Sequence, residues 1–393
     1  MLVGEANGRG RRALLLIGAA GAALLLASFA YAGPSLVARA RTSAQAPAPA
    51  ALAGAGLQVV NSQVAWLPLF QAAGGQPFQV FKTTDGGQRW QRVLTVSADQ
   101  PITWMSFFDA RRGLVLAGTR GNPRTASQLY STADGGAHWR TNPLPIETGL
   151  VDGPVAQTLS FADLDHGWYL AGLGNEAAAL YRTLDGGRSW AEVARVDEAH
   201  PLSHGLELHG RKFGIRFASA REGWIGIQEP GPPAVYHSPD GGQTWRLGQL
   251  PERPLVPGEV RTQLAIEPPK VFGSDAVLMV SGAESYALAS ADGGESWSEP
   301  RPLPGARCCP AVLDASNWWE LDGATLYSTS DGGRHWESMS PLLPAGTRLN
   351  SVIPASRAEF WGVGSQLGSL GTAVLLRSRD GGRSWTAVSL PRL

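Results

Sequence analysis

From about residue 56 onward, apolar residues fall in short runs of roughly five to eight positions separated by Gly, Pro, Asp and Ser. Runs such as Gly113-Leu114-Val115-Leu116-Ala117 and Gly167-Trp168-Tyr169-Leu170-Ala171 are too short for helices, and their bounding residues are turn formers. The pattern predicts an all-β body over residues 56–393. The first 32 residues read differently. Arg9, Arg11 and Arg12 precede an uncharged apolar run from Ala13 to Ala32, which predicts a signal peptide or membrane anchor over residues 1–32. Ala30 and Ala32 suit a cleavage site, while 20 apolar residues are also long enough to span a bilayer, so both outcomes stay open. The basic N-terminal flank favours a cytoplasmic N-terminus and an extracytoplasmic body. Residues 33–55 are rich in Ala and Pro, with too little bulky apolar surface for a core, and read as a linker.

Within the body one phrase recurs seven times: Phe81 to Trp90, Tyr130 to Trp139, Tyr181 to Trp190, Tyr236 to Trp245, Leu288 to Trp297, Tyr327 to Trp336 and Leu376 to Trp385. Each has an aromatic residue or Leu, then Ser/Thr, then Asp-Gly-Gly, then Trp at fixed offsets. The aspartates are Asp85, Asp134, Asp185, Asp240, Asp292, Asp331 and Asp380, a period of about 49 residues. The tryptophans are Trp90, Trp139, Trp190, Trp245, Trp297, Trp336 and Trp385. Asp can accept backbone N–H bonds within a turn, Gly-Gly supplies positive φ, and Ser/Thr bonds locally, so each phrase predicts a hairpin tip. The flanking aromatics then lie on the two strands leaving it. A preceding phrase, Ser106-Phe107-Phe108-Asp109 before Gly113, or Ser160-Phe161-Ala162-Asp163 before Gly167, predicts two more strands per period. Four strands per period, stacked around an axis, predict a seven-bladed β-propeller, the fifth blade being the least regular.

The phrase resembles the Asp-box, or bacterial neuraminidase, repeat. Its coupling to a preceding Gly-Trp strand resembles the photosystem II stability/assembly factor family of seven-bladed propellers. That resemblance covers roughly residues 56–393 and implies a non-enzymatic scaffold that binds a protein partner associated with a membrane. Asp-boxes also occur in sialidases, xyloglucan-cleaving glycosidases and sortilin-type receptors, so the repeat specifies fold far better than function.

Composition and chemistry narrow the choice. Lys plus Arg and Asp plus Glu number 33 each, so no net field draws nucleic acid, and no nucleic-acid partner is expected. A carbohydrate-active hydrolase is the alternative function, because carboxylates from separate blades can meet across a central face without leaving a local motif. A sialidase lacks its materials: Tyr130, Tyr181, Tyr236 and Tyr327 hold packing positions before boxes, and no Arg-Ile-Pro phrase is present. Asp109, Asp163 and Asp314 follow strands at similar places and read as turn caps rather than a carboxylate ring. The boxes lack the alternating acids of a calcium loop. His200, His204 and His209, with Glu198 and Glu207, form the densest group of metal-ligand types, but Pro201, Gly205 and Gly210 mark a surface connection. Adjacent Cys308 and Cys309 are too close for an ordinary disulfide and read as a thiol pair. No catalytic residue, metal or other cofactor is therefore expected. The variable connections carry Arg120, Arg124, Arg211, Arg253 and Arg261, the candidate partner-binding residues, with carbohydrate as the other ligand class.

Overall fold

The computed structural model describes residues 50–393 except 53–55, 72–74, 119–126, 146–157, 175, 254–262, 283, 306–309 and 369–371. The N-terminal segment and the vicinal cysteines thus lie outside the described residues. Among the described residues every regular element is a β-strand.

The strands form antiparallel meanders of four. The first unit comprises Gln58–Val59, Ala65–Gln71, Phe78–Thr83 and Gln91–Val96; the second comprises Ile102–Phe107, Gly113–Ala117, Gln128–Thr132 and Arg140–Pro143. The same order recurs to the last unit, Thr347–Pro354, Phe360–Gln366, Ala373–Ser378 and Thr386–Val388. Every box joins the third strand of a unit to the fourth.

Two departures from the repeat have local causes. The fourth unit (Arg211–Gln249) and the fifth (Lys270–Pro302) share one nine-stranded sheet, because Gln263–Ile266 pairs with Gln228–Pro230 on one side and with the second strand of the fifth unit on the other. The stretch read as a linker up to residue 55 enters the sheet early: Ala50, Ala51 and Leu52 pair with Gln71, Phe70 and Leu69. An open strand edge needs partners for its backbone groups, and here the nearest chain supplies them.

The core lies between units, since a lone sheet cannot bury both faces. Trp66 of the first unit stacks on Phe107 of the second at 3.9 Å and 8°, and Trp168 of the third on Phe217 of the fourth at 3.6 Å and 4°. Gly113 and Gly223 make this possible, because a Cβ at either would overlap the stacked Phe ring. The cross-strand partner of such a tryptophan is often cationic: Lys82 sits over Trp66 at 5.0 Å, Arg182 over Trp168 at 5.8 Å and Arg377 over Trp361 at 4.7 Å. These cations reach the next unit. Lys82 Nζ approaches the Gly135 carbonyl at 3.5 Å, and Arg377 Nη1 donates to Gly86 O at 2.8 Å, joining the last unit to the first across 291 residues. Where the position is small, a fourth-strand residue takes over: Asn142 donates to Gly186 O and Arg301 to Gly332 O. We expect Gly223→Ala to lower stability by about 1–3 kcal/mol through overpacking, read as a shifted thermal midpoint. An unchanged midpoint would show that Phe217 has room to move.

Candidate functional site

The box turns are closed systems of hydrogen bonds. Gly86 and Gly87 take φ values of 72° and 90°, a region that only glycine enters readily. This bends the chain so that Thr83 Oγ1 donates to Asp85 Oδ1 at 2.9 Å and accepts from Gly87 N at 2.9 Å. Asp85 Oδ1 also accepts from Arg89 N at 2.9 Å. At later boxes the residue four after the aspartate adds a side-chain bond to the second oxygen, from Ser189, Thr244 and Ser296 hydroxyls and from the His138 and His335 rings. The Ser189 and Ser384 hydroxyls, followed by the backbone N–H groups of the same residues, hold Asp185 and Asp380 down to about 2. Carboxylates so engaged stay ionised and locally bound, which suits neither a general acid nor a calcium ligand. Two of the box tryptophans close their own turns, Trp385 Nε1 donating to Gly382 O at 2.9 Å and Trp245 Nε1 to Gly242 O at 3.1 Å, whereas Trp139 Nε1 donates to Val93 O of the preceding unit at 2.8 Å.

Asp109, Asp163 and Asp314 cap turns between first and second strands. Asp109 Oδ1 accepts from Arg111 N and Arg112 N, both at 2.7 Å, and Asp163 and Asp314 accept from the equivalent amides. Asn61, Ser219 and Ser356 accept the same pair of bonds in other units. The position therefore requires an acceptor and not a charge.

The histidine-bearing connection is a small hairpin, Leu202–Ser203 against Leu206–Glu207, packed between the third and fourth units. His200 pairs with Asp197 at 2.9 Å and His209 with Glu229 at 3.0 Å, while His204 takes a φ of 52° at the tip. Among the described residues no group of three or more His, Cys, Asp or Glu is placed to hold a metal. Lys212 is the anchor of this connection. Its buried Nζ donates to the carbonyls of Glu207, His209 and Gly210. Burial pushes it down to about 8, opposed by Glu176, Glu229 and Glu207. The available signal was a lysine at the head of the strand Arg211–Phe217, directly after a connection carrying Gly205 and Gly210.

Of the five candidate arginines, Arg120, Arg124 and Arg261 lie outside the described residues. Arg211 Nη1 donates to Gln228 Oε1 at 3.3 Å, and Arg253 pairs with Glu284 at 3.1 Å. Each of these two is thus held by a neighbour and is not an idle surface charge. A second cation that sequence reasoning missed is Arg377, whose signal was its place three residues before the box aspartate Asp380.

The family model for the photosynthesis system II assembly factor YCF48 matches residues 135–298. The chain resembles that family. The solved structure of YCF48 from Cyanidioschyzon merolae is similar with a TM-score of 0.51 at 15% identity, covering 85% of this chain and 97% of that one. YCF48 bound to D1 peptide gives a TM-score of 0.46 at 21% identity, covering 72% of this chain and 80% of the other. A GH74 xyloglucanase from Xanthomonas campestris gives 0.46 at 16% identity, covering 88% and 69%. No curated protein sequence matches the chain. The body is an all-β propeller built from Asp-box repeats, and its units are blades.

Proposed function

We propose that this chain is an extracytoplasmic, non-enzymatic seven-bladed scaffold, secreted or held by its N-terminal segment, that binds a protein partner and assists assembly or stability of a membrane-associated complex. The observation that carries this reading is the match to the YCF48 assembly-factor family over residues 135–298. YCF48 has been solved with D1 peptide, so the family in question includes a peptide-holding member. A closed ring of seven blades is supported by seven boxes of one period and by the last-to-first bond from Arg377 to Gly86. The location rests on Arg9, Arg11 and Arg12 before the apolar run to Ala32.

The chemistry of the site favours binding over turnover. The box and turn-cap aspartates spend their oxygens on local N–H and O–H donors, and a glycosidase needs a carboxyl poised to give up a proton. The test is capture by the full-length chain from detergent-solubilised native membranes, together with turnover assays on xyloglucan and sialosides. We expect a stoichiometric protein partner and no hydrolysis. Hydrolysis abolished by one carboxylate substitution would overturn the scaffold reading.

A further inference from the structure

The second strand of the first blade, Ala65–Gln71, is longer than the strand beside it. Gln58 and Val59 cover only Trp66 and Ala65. In the second and seventh blades the first strand accompanies the second along its length, from Phe107 opposite Gly113 to Ile102 opposite Ala117, and from Pro354 opposite Phe360 to Thr347 opposite Gln366. The overhang of the first blade, Leu69–Gln71, is covered instead by Ala50–Leu52. The fourth blade has a shorter overhang, Glu229–Pro230, past the Arg211–Gln228 pair, and it is covered by Gln263–Ile266. Uncovered backbone groups at such an edge form a template for another strand.

The two covers differ in quality. Gln263–Ile266 is bonded on both sides and so is locked within the nine-stranded sheet. Among the described residues Ala50–Leu52 is bonded on one side only; it spans three residues and comes from an Ala/Pro-rich stretch with weak strand propensity. Gly56, at a φ of 67°, follows it as a pivot. Beside the overhang the half-buried rings of Phe70 and Phe78 meet at 5.2 Å. They give an incoming strand an apolar contact as well as backbone bonds.

We propose that the Leu69–Gln71 edge is a docking site for an extended peptide segment with alternate apolar side chains, and that Ala50–Leu52 is its displaceable occupant in cis. The mode is strand addition, in which main-chain bonds give affinity and alternate side chains give selectivity. The site also couples to the segment before it, since displacement of Ala50–Leu52 lengthens the tether to the body. This inference deepens the protein-partner reading by naming a mode of docking, and it rests on that reading for its biological use.

The test needs no natural partner. In the full-length chain in detergent, backbone amides of Leu69–Gln71 that face Ala50–Leu52 are followed by hydrogen exchange, in the wild type and in Ala51→Pro. Proline cannot donate to the ladder and is poorly tolerated within a paired strand, so its effect falls on this edge alone. We expect at least tenfold faster exchange at that edge in Ala51→Pro, with the box-turn amides unchanged. A soluble peptide of alternating valine and threonine then restores protection saturably, and binds the wild type at least tenfold more weakly. Unaltered exchange in Ala51→Pro, or failure of the peptide to protect the vacated edge, overturns the proposal. Neither result bears on whether a protein partner binds elsewhere.

Discussion

Trp361→Ala should lower the unfolding free energy by about 3–5 kcal/mol, the usual range for deleting a buried tryptophan side chain. Trp361 is fully buried and lies where residues distant in sequence meet. Its ring carries the Arg377 guanidinium at 4.7 Å and faces Trp90 of the first blade at 6.2 Å and 67°. It shares a core cluster with Leu57, Leu67 and Phe81. Truncation opens a cavity and removes the aromatic face over which a buried cation rests, so two losses coincide where the last and first units meet. With about 2.1 cal/mol/K of unfolding entropy per residue, the thermal midpoint should fall by about 4–7 °C. Calorimetry of Trp361→Ala beside Trp361→Phe checks this. A midpoint unmoved by the alanine change would mean that the last and first blades do not pack together in solution.

Acid should loosen the whole ring rather than one blade. Asp185 and Asp380 sit at about 2 in the folded chain, against an ordinary value of 3.8, chiefly through the Ser189 and Ser384 hydroxyls. Asp85, Asp134, Asp240, Asp292 and Asp331 are lowered as well. A carboxylate with a depressed folded value contributes stability that is fully present above its unfolded value and lost as pH falls through the folded one. The midpoint should therefore be level with respect to these groups above about pH 5 and drop between about pH 4 and 2. Asp185→Asn should lower the midpoint at pH 7 and flatten the acid limb, which thermal melts across pH 2–7 would reveal. An acid limb identical in the variant would assign the transition to other groups.

The box turn is largely legible from its residues, because Ser/Thr-x-Asp-Gly-Gly contains its own donors, acceptors and positive-φ positions. The same holds for the strand pairs around Gly113 and Gly167, where the apolar runs and turn formers are local signals. What was not legible depends on contacts between blades. Arg377 reaches a carbonyl 291 positions away, and no local pattern states which glycine it meets. Gln263–Ile266 pairs on both sides for the same reason, since strand register across blades is set by three-dimensional proximity. The extent of the linker was misjudged at Ala50–Leu52 because composition describes what a segment prefers, whereas an unfilled edge decides what it does. The candidate arginines were chosen for lying in variable connections, yet Arg253 is engaged by Glu284. Exposure cannot be read from connection length alone.

The strand Gln263–Ile266 makes one junction in the ring unlike those held by stacked rings and cation contacts. Backbone bonds run through it from the fourth blade into the fifth. Under tension, a junction held by a backbone ladder as well as side chains gives way later than one held by side-chain stacks alone. A chain pulled from both ends would therefore shed its outer blades as separate short extensions and surrender residues 211–302 as one longer rupture. In mechanical terms the body has a welded link, and the two blades it joins form the load-bearing block to which the others are fastened.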